Sequence, residues 1–213
     1  MINSKVTKPL LRGYFHEWMF FISVGACIPL IANSSNSIEL ASTIIYSIGV
    51  CMMFGFSALY HRVDWRSRVL IIMRRLDHSA IFVMIAGSFT PICLLVLPGN
   101  TGIQLLFIIW IIAGIGILQT VLFTETPRLI RAGIYLVAGY MAIPYLSVMF
   151  SVMSMTNFIL TAASGTIYTV GAIGYGFQFP DISPKYFGYH EFFHILVSIA
   201  AVLHFIVIYS IVG

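Results

Sequence analysis

Apolar residues run in seven long blocks along this chain, separated by short polar stretches. The blocks lie at approximately 17–34, 39–60, 77–97, 103–123, 132–150, 156–176 and 191–212. Each is close to the roughly 20 mostly apolar residues that a helix needs to cross a bilayer. Asn33-Ser34-Ser35-Asn36-Ser37 and Pro98-Gly99-Asn100 are the clearest breaks between blocks. The pattern predicts an all-α integral membrane protein, one seven-helix bundle over residues 1–213. Pro29, Pro91 and Pro144 fall within spans and predict kinks, whose freed backbone groups need partners on neighbouring helices. The closely spaced glycines Gly114, Gly116, Gly165, Gly171 and Gly174 predict close helix approach in the fourth and sixth spans.

Composition agrees with a lipid solvent. Of 213 residues, 60% are hydrophobic and 8% charged, against about a quarter charged in a soluble domain. A soluble fold of this size has too little interior to hide that much apolar surface. The net charge of +4 does not point to nucleic acid, because the basic residues sit between the apolar blocks. Lys5, Lys8 and Arg12 precede the first span. Arg62, Arg66, Arg68, Arg74 and Arg75 lie between the second and third, Arg128 and Arg131 between the fourth and fifth, and Lys185 between the sixth and seventh. These are all eleven Lys and Arg residues. Positive charge stays on the cytoplasmic side, so the N-terminus is expected inside and the C-terminus outside. Multiple passes through a membrane are expected. Cys27, Cys51 and Cys93 all lie within apolar runs and form neither a disulfide framework nor a thiolate metal site. The first apolar run lacks the small-residue cleavage site of a signal peptide.

Ionisable residues at membrane depth are expensive and mark candidate functional positions. The second span ends at Ser57-Ala58-Leu59-Tyr60-His61, the third begins at Asp77-His78, and the seventh begins at His190-Glu191-Phe192-Phe193-His194. Topology therefore puts His61, Asp77, His190 and His194 at a common depth near the cytoplasmic boundary. His190 and His194 are four apart and share a helix face, about 6 Å apart at Cβ, so both imidazoles can reach one metal. Ser57 and His61 share a face for the same reason. Three nitrogen ligands with an open fourth position are the catalytic arrangement for Zn²⁺. His61, His190 and His194 are the candidate ligands. Asp77 is a candidate to hold a metal-bound water, orient a histidine or act as base, and Ser57 to bond the water or a substrate carbonyl. Plainer readings compete: His61 as an interfacial residue, Asp77 paired with Arg74 or Arg75 or capping the third helix, and the histidine pair as polar bundle interior. His78 reads as interfacial and His16 as a surface residue before the first span. His204 lies about 15 Å further along its helix, too far for the same metal, and is expected to bond across helices. His190-Glu191-x-x-His194 also has the zincin spacing, in which the glutamate is the general base.

Three segments together resemble the hemolysin III family: Ser57 to His61, Leu76-Asp77-His78-Ser79-Ala80-Ile81-Phe82 through Thr90-Pro91, and His190-x-x-x-His194 running to Leu203-His204-Phe205. Ile167-Tyr168-Thr169-Val170-Gly171-Ala172-Ile173 is also typical. The family is the bacterial branch of the progestin and adipoQ receptor superfamily, which includes the adiponectin receptors and, more distantly, the alkaline ceramidases. The resemblance implies a seven-helix bundle with a cytoplasmic N-terminus and a zinc ion near the cytoplasmic face. It implies His61, His190 and His194 as ligands, Asp77 contacting zinc through water, and Ser57 as the serine of the second helix. The Asn-Ser-x-Thr-His-Gly-like stretch that often opens the first span in bacterial members is not clearly present.

The expected function is a zinc-dependent hydrolase acting on a lipid amide or ester, with a ceramide-like amide as the family-derived substrate class. The alternative is a sensor or receptor with a structural zinc. The pore former that the family name suggests has no amphipathic lining pattern here. Membrane lipids are the expected partners.

Overall fold

The computed structural model describes residues 9–183 and 185–213; Lys5 and Lys8 lie outside them. The described residues form eight α-helices: α1 (Tyr14–Ala32), α2 (Ser37–Arg62), α3 (Ser67–Pro91), α4 (Gly99–Leu122), α5 (Arg128–Tyr140), α6 (Leu146–Val152), α7 (Met155–Phe177) and α8 (Tyr189–Ser210). Helix α3 runs on as a π-helical stretch, Ile92–Val96, and α5 and α6 together form one span, so seven segments are long and apolar enough to cross a membrane. The chain is thus a multi-pass integral membrane protein.

Local chemistry sets the helix ends. Asn36 accepts from the backbone N–H groups of Ile38 and Glu39, both at 3.0 Å, and opens α2. Ser154 does the same for α7 through Asn157 N–H at 3.2 Å. Pro91 has no N–H to give to the ladder, and the helix beyond it widens into the π stretch. Pro144 has a larger effect: α5 stops at Tyr140, a 3₁₀ turn covers Ile143–Tyr145, and α6 resumes at Leu146. The uninterrupted span at 132–150 is therefore broken in its middle.

The third span differs most from expectation. Helix α3 begins at Ser67, ten residues before Asp77. Arg68, Arg74 and Arg75 end the hydropathic signal without ending the helix. Asp77 consequently sits in the helix body and does not cap it.

The helices close into a ring. Neighbouring pairs run α1–α2, α2–α3, α3–α4, α4–α5, α5–α7 and α7–α8, and α8 returns to α1. The α2–α3 and α3–α4 seams are tight: a Cβ on Gly116 would lie 2.3 Å from the Phe82 ring, so only glycine fits there. Gly114 and Gly165 are different; a Cβ on either would meet nothing within 4 Å, and these two glycines do not mediate helix contact. The outer faces carry large apolar side chains into the surroundings, including Phe107, Ile111 and Ile115 on α4, as expected where lipid replaces water.

At the end of the bundle bearing the basic residues, the chain before α1 crosses the segment before α8. Leu10 N–H donates to the Lys185 carbonyl at 3.0 Å and Leu11 N–H to that of Tyr186 at 3.2 Å. Arg12 pairs with Glu191. These contacts hold the start of α8, and with it the histidine pair, against α1 and α2.

Candidate metal centre

Helix α2 brings His61 to its last turn and α8 brings His190 and His194 to its first two. One ring nitrogen from each lies within 4.8 Å of the others, and this trio can hold a metal ion. His61 Nε2 and His190 Nε2 are 3.0 Å apart. Two ligand nitrogens about 2.0–2.1 Å from a tetrahedral zinc would be separated by about 3.3 Å, so the pair already stands near shared-ligand spacing. His194 is 2% exposed, and its Nδ1 is buried with no hydrogen-bond partner. A donor set of three imidazoles suits a borderline transition metal. The residues fit the group.

Asp77 is 7% exposed and does not belong to the trio. It borders the same cavity as Ser57, His190 and His194. No salt bridge joins it to Arg74 or Arg75 among the described residues; the neutral ring of His78 lies nearby, Nε2 to Oδ2 at 3.8 Å.

His16 corrects the sequence reading. It is 2% exposed, not a surface residue. Its ring stacks on His194 with centroids 3.7 Å apart and planes 9° off parallel, and its Nδ1 is 2.8 Å from Ser57 Oγ. Helix α1 thus supplies a fourth imidazole that buttresses a candidate ligand and fixes the serine hydroxyl. Ser57 is therefore already partnered. The family stretch that opens the first span carries a histidine, and His16 stands near that opening. That was the available signal, hidden by the absence of the flanking residues.

His78 is also more than interfacial. It is half-buried, and Arg131 Nη1 donates to its Nε2 at 3.2 Å. An arginine has no acceptor, so His78 Nε2 carries the lone pair. His204 bonds across helices as expected: Nε2 donates to the Ser88 carbonyl at 3.1 Å and Nδ1 lies 3.4 Å from Ser164 Oγ.

Glu191 does not have the freedom of a zincin base. It is fully buried, paired with Arg12, and accepts Gly188 N–H at 2.8 Å at the helix start. Its carboxylate closes the end of α8.

His190 and His194 of the trio border a cavity of about 170 Å³. Met84, Ile85, Phe89 and Val197 line its depth, which reaches His204. Leu136, Gly139 and Tyr140 of α5 and Thr161, Gly165 and Thr169 of α7 line the mouth, where Tyr140 and Gly165 are exposed. The space left by Gly165 belongs to this opening. The His190 and His194 side of the site thus meets an apolar chamber whose lining reaches exposed residues of α5 and α7.

A family model described as Haemolysin-III related matches residues 4–205. The chain belongs to the hemolysin III family. It is similar to the hemolysin-3 homolog of Bacillus subtilis, 30% identical over 173 residues that cover 80% of this chain and 81% of that protein. Similarity extends to the human monocyte to macrophage differentiation factor, 26% identical over 204 residues, covering 92% and 81%. It also reaches the adiponectin receptor protein of Drosophila melanogaster, 27% identical over 203 residues, covering 85% and 46%. Hemolysin III proteins therefore sit within the progestin and adipoQ receptor superfamily, and all three histidines of the trio lie inside the matched region.

Proposed function

We propose that this protein is a zinc-dependent hydrolase that cleaves an amide or ester bond of a membrane lipid, near the cytoplasmic face. The observation that carries this reading is a trio of imidazoles, His61, His190 and His194, two of which, His190 and His194, line an apolar chamber that reaches exposed residues of α5 and α7. When bound there, zinc supplies an activated water with a pKa near 7 and polarises a carbonyl. His61, His190 and His194 supply the imidazoles. The chamber takes the acyl chain, and the mouth between α5 and α7 admits it from the bilayer. Asp77 takes a proton from the attacking water at its carboxylate and returns it to the leaving nitrogen or oxygen. Ser57 Oγ, held by His16 Nδ1, orients the substrate carbonyl or the water. A ceramide-like amide is the substrate class to try first.

Lipid turnover by the purified protein tests this. Wild type should release free fatty acid from a ceramide or a related lipid, and His194→Ala should not. Equal turnover by both proteins would remove the proposal.

One observation favours a second reading. Helices α2 and α8 are not direct neighbours in the ring, so a metal shared by His61 and the α8 pair would bridge them. In a sensor with a structural zinc, chelation would lower Tm with no hydrolysis to lose.

A further inference from the structure

A second cluster lies beside the metal centre and is not used by it. Arg74 and Arg75 of α3 and Arg131 of α5 converge on a shallow pocket with Gln119, Thr126 and His78, whose enclosed volume is about 10 Å³. Arg131 is 7% exposed, and its guanidinium has neutral partners: the Thr126 carbonyl at 2.8 Å and His78 Nε2 at 3.2 Å. Arg75 Nε is buried with no hydrogen-bond partner. Among the described residues Arg74 forms an ion pair with Glu125, at 3.5 Å, and that carboxylate is 90% exposed.

Three guanidiniums around one small pocket repel one another, and a buried one without a carboxylate in contact is costly. Asp77 and the Thr126 carbonyl offset part of this charge. Nothing among the described residues meets the free donors of Arg75 and Arg131 with an anion. Planar guanidiniums present paired N–H donors that match tetrahedral oxyanions. Gln119, which donates to Thr126 Oγ1 at 2.6 Å, adds a polar wall. The cluster sits at the end of the bundle carrying the other basic residues, the kind of juxtamembrane basic patch that attracts anionic headgroups.

We propose that Arg74, Arg75 and Arg131 form a binding site for a phosphate group, either on a phospholipid headgroup or as free phosphate. The site is separate from the histidine trio and does not rest on the hydrolase reading. It shares His78 with the large chamber's lining, so a bound headgroup would stand at the chamber's edge.

Thermal unfolding in neutral detergent tests it, with inorganic phosphate compared against chloride at equal ionic strength, and phosphatidylglycerol against diacylglycerol, which lacks the phosphate. A probe that binds should raise the wild-type Tm by about 4 °C at ten times its Kd. Arg75→Gln and Arg131→Gln should lose that shift while keeping bound metal. A shift with phosphatidylglycerol alone assigns the site to lipid headgroups; a shift with inorganic phosphate alone assigns it to the free anion; either supports the site. Should Arg131→Gln fail to fold, Arg75→Gln carries the test, because its Nε has no hydrogen bond to lose. No shift with either probe, or an undiminished shift in Arg75→Gln, would overturn the proposal.

Discussion

Helix α8 carries two buried histidines, His194 and His204, that differ in what surrounds them. His204 gives one nitrogen to the Ser88 carbonyl and sets the other against Ser164 Oγ. Both ends of its ring are spoken for, and it stitches α8 to α3 and α7. His194 has an unpartnered Nδ1 and is crowded by the rings of His16, His61 and His190, with centroids 3.7, 5.2 and 4.6 Å away. A buried histidine with protein partners is architecture. Several imidazoles gathered without enough acceptors among them could serve as a ligand set, because each nitrogen left over carries a desolvation cost that a metal or water removes.

The largest expected effect separates the two positions directly. His190→Ala/His194→Ala should take zinc content from about one per chain to near zero, read by elemental analysis of the purified protein, whereas His204→Ala should retain the metal. Next in size, Glu191→Gln should lower stability by about 3 kcal/mol, since it leaves the Arg12 guanidinium without its buried partner. Its metal content should stay unchanged, and a loss of turnover at unchanged Tm would instead revive the zincin base. His204→Ala should cost about 2 kcal/mol for the two lost contacts and the stranded Ser88 carbonyl, measured by thermal unfolding. The smallest effect is expected at His16. His16→Phe keeps a ring against His194 but releases Ser57, so turnover should fall about tenfold, the equivalent of about 1.4 kcal/mol for one hydrogen bond, with zinc retained.

The fold was largely legible because lipid imposes a simple code: a run of about twenty apolar residues must be a helix or nothing. The code fails where the helix leaves the hydrocarbon. Arg68, Arg74 and Arg75 hid the first turns of α3, and the break after Tyr140 showed in sequence only as Pro144. His61, His190 and His194 were legible for a different reason. The i,i+4 pair shares a face, and the alternation of basic loops puts the end of the second span level with the start of the seventh. His16 had no such marker. Its partners, Ser57 and His194, are 41 and 178 positions away, and no local spacing encodes them. The Arg131–His78 contact across α3 and α5 was invisible on the same grounds.

Zinc-edge X-ray absorption on the purified protein tests the central claim most directly. The account predicts three imidazole nitrogens and one oxygen at about 2.0–2.1 Å, and the loss of imidazole scattering in His61→Ala. A metal-free protein, or a metal held by sulfur, would contradict it.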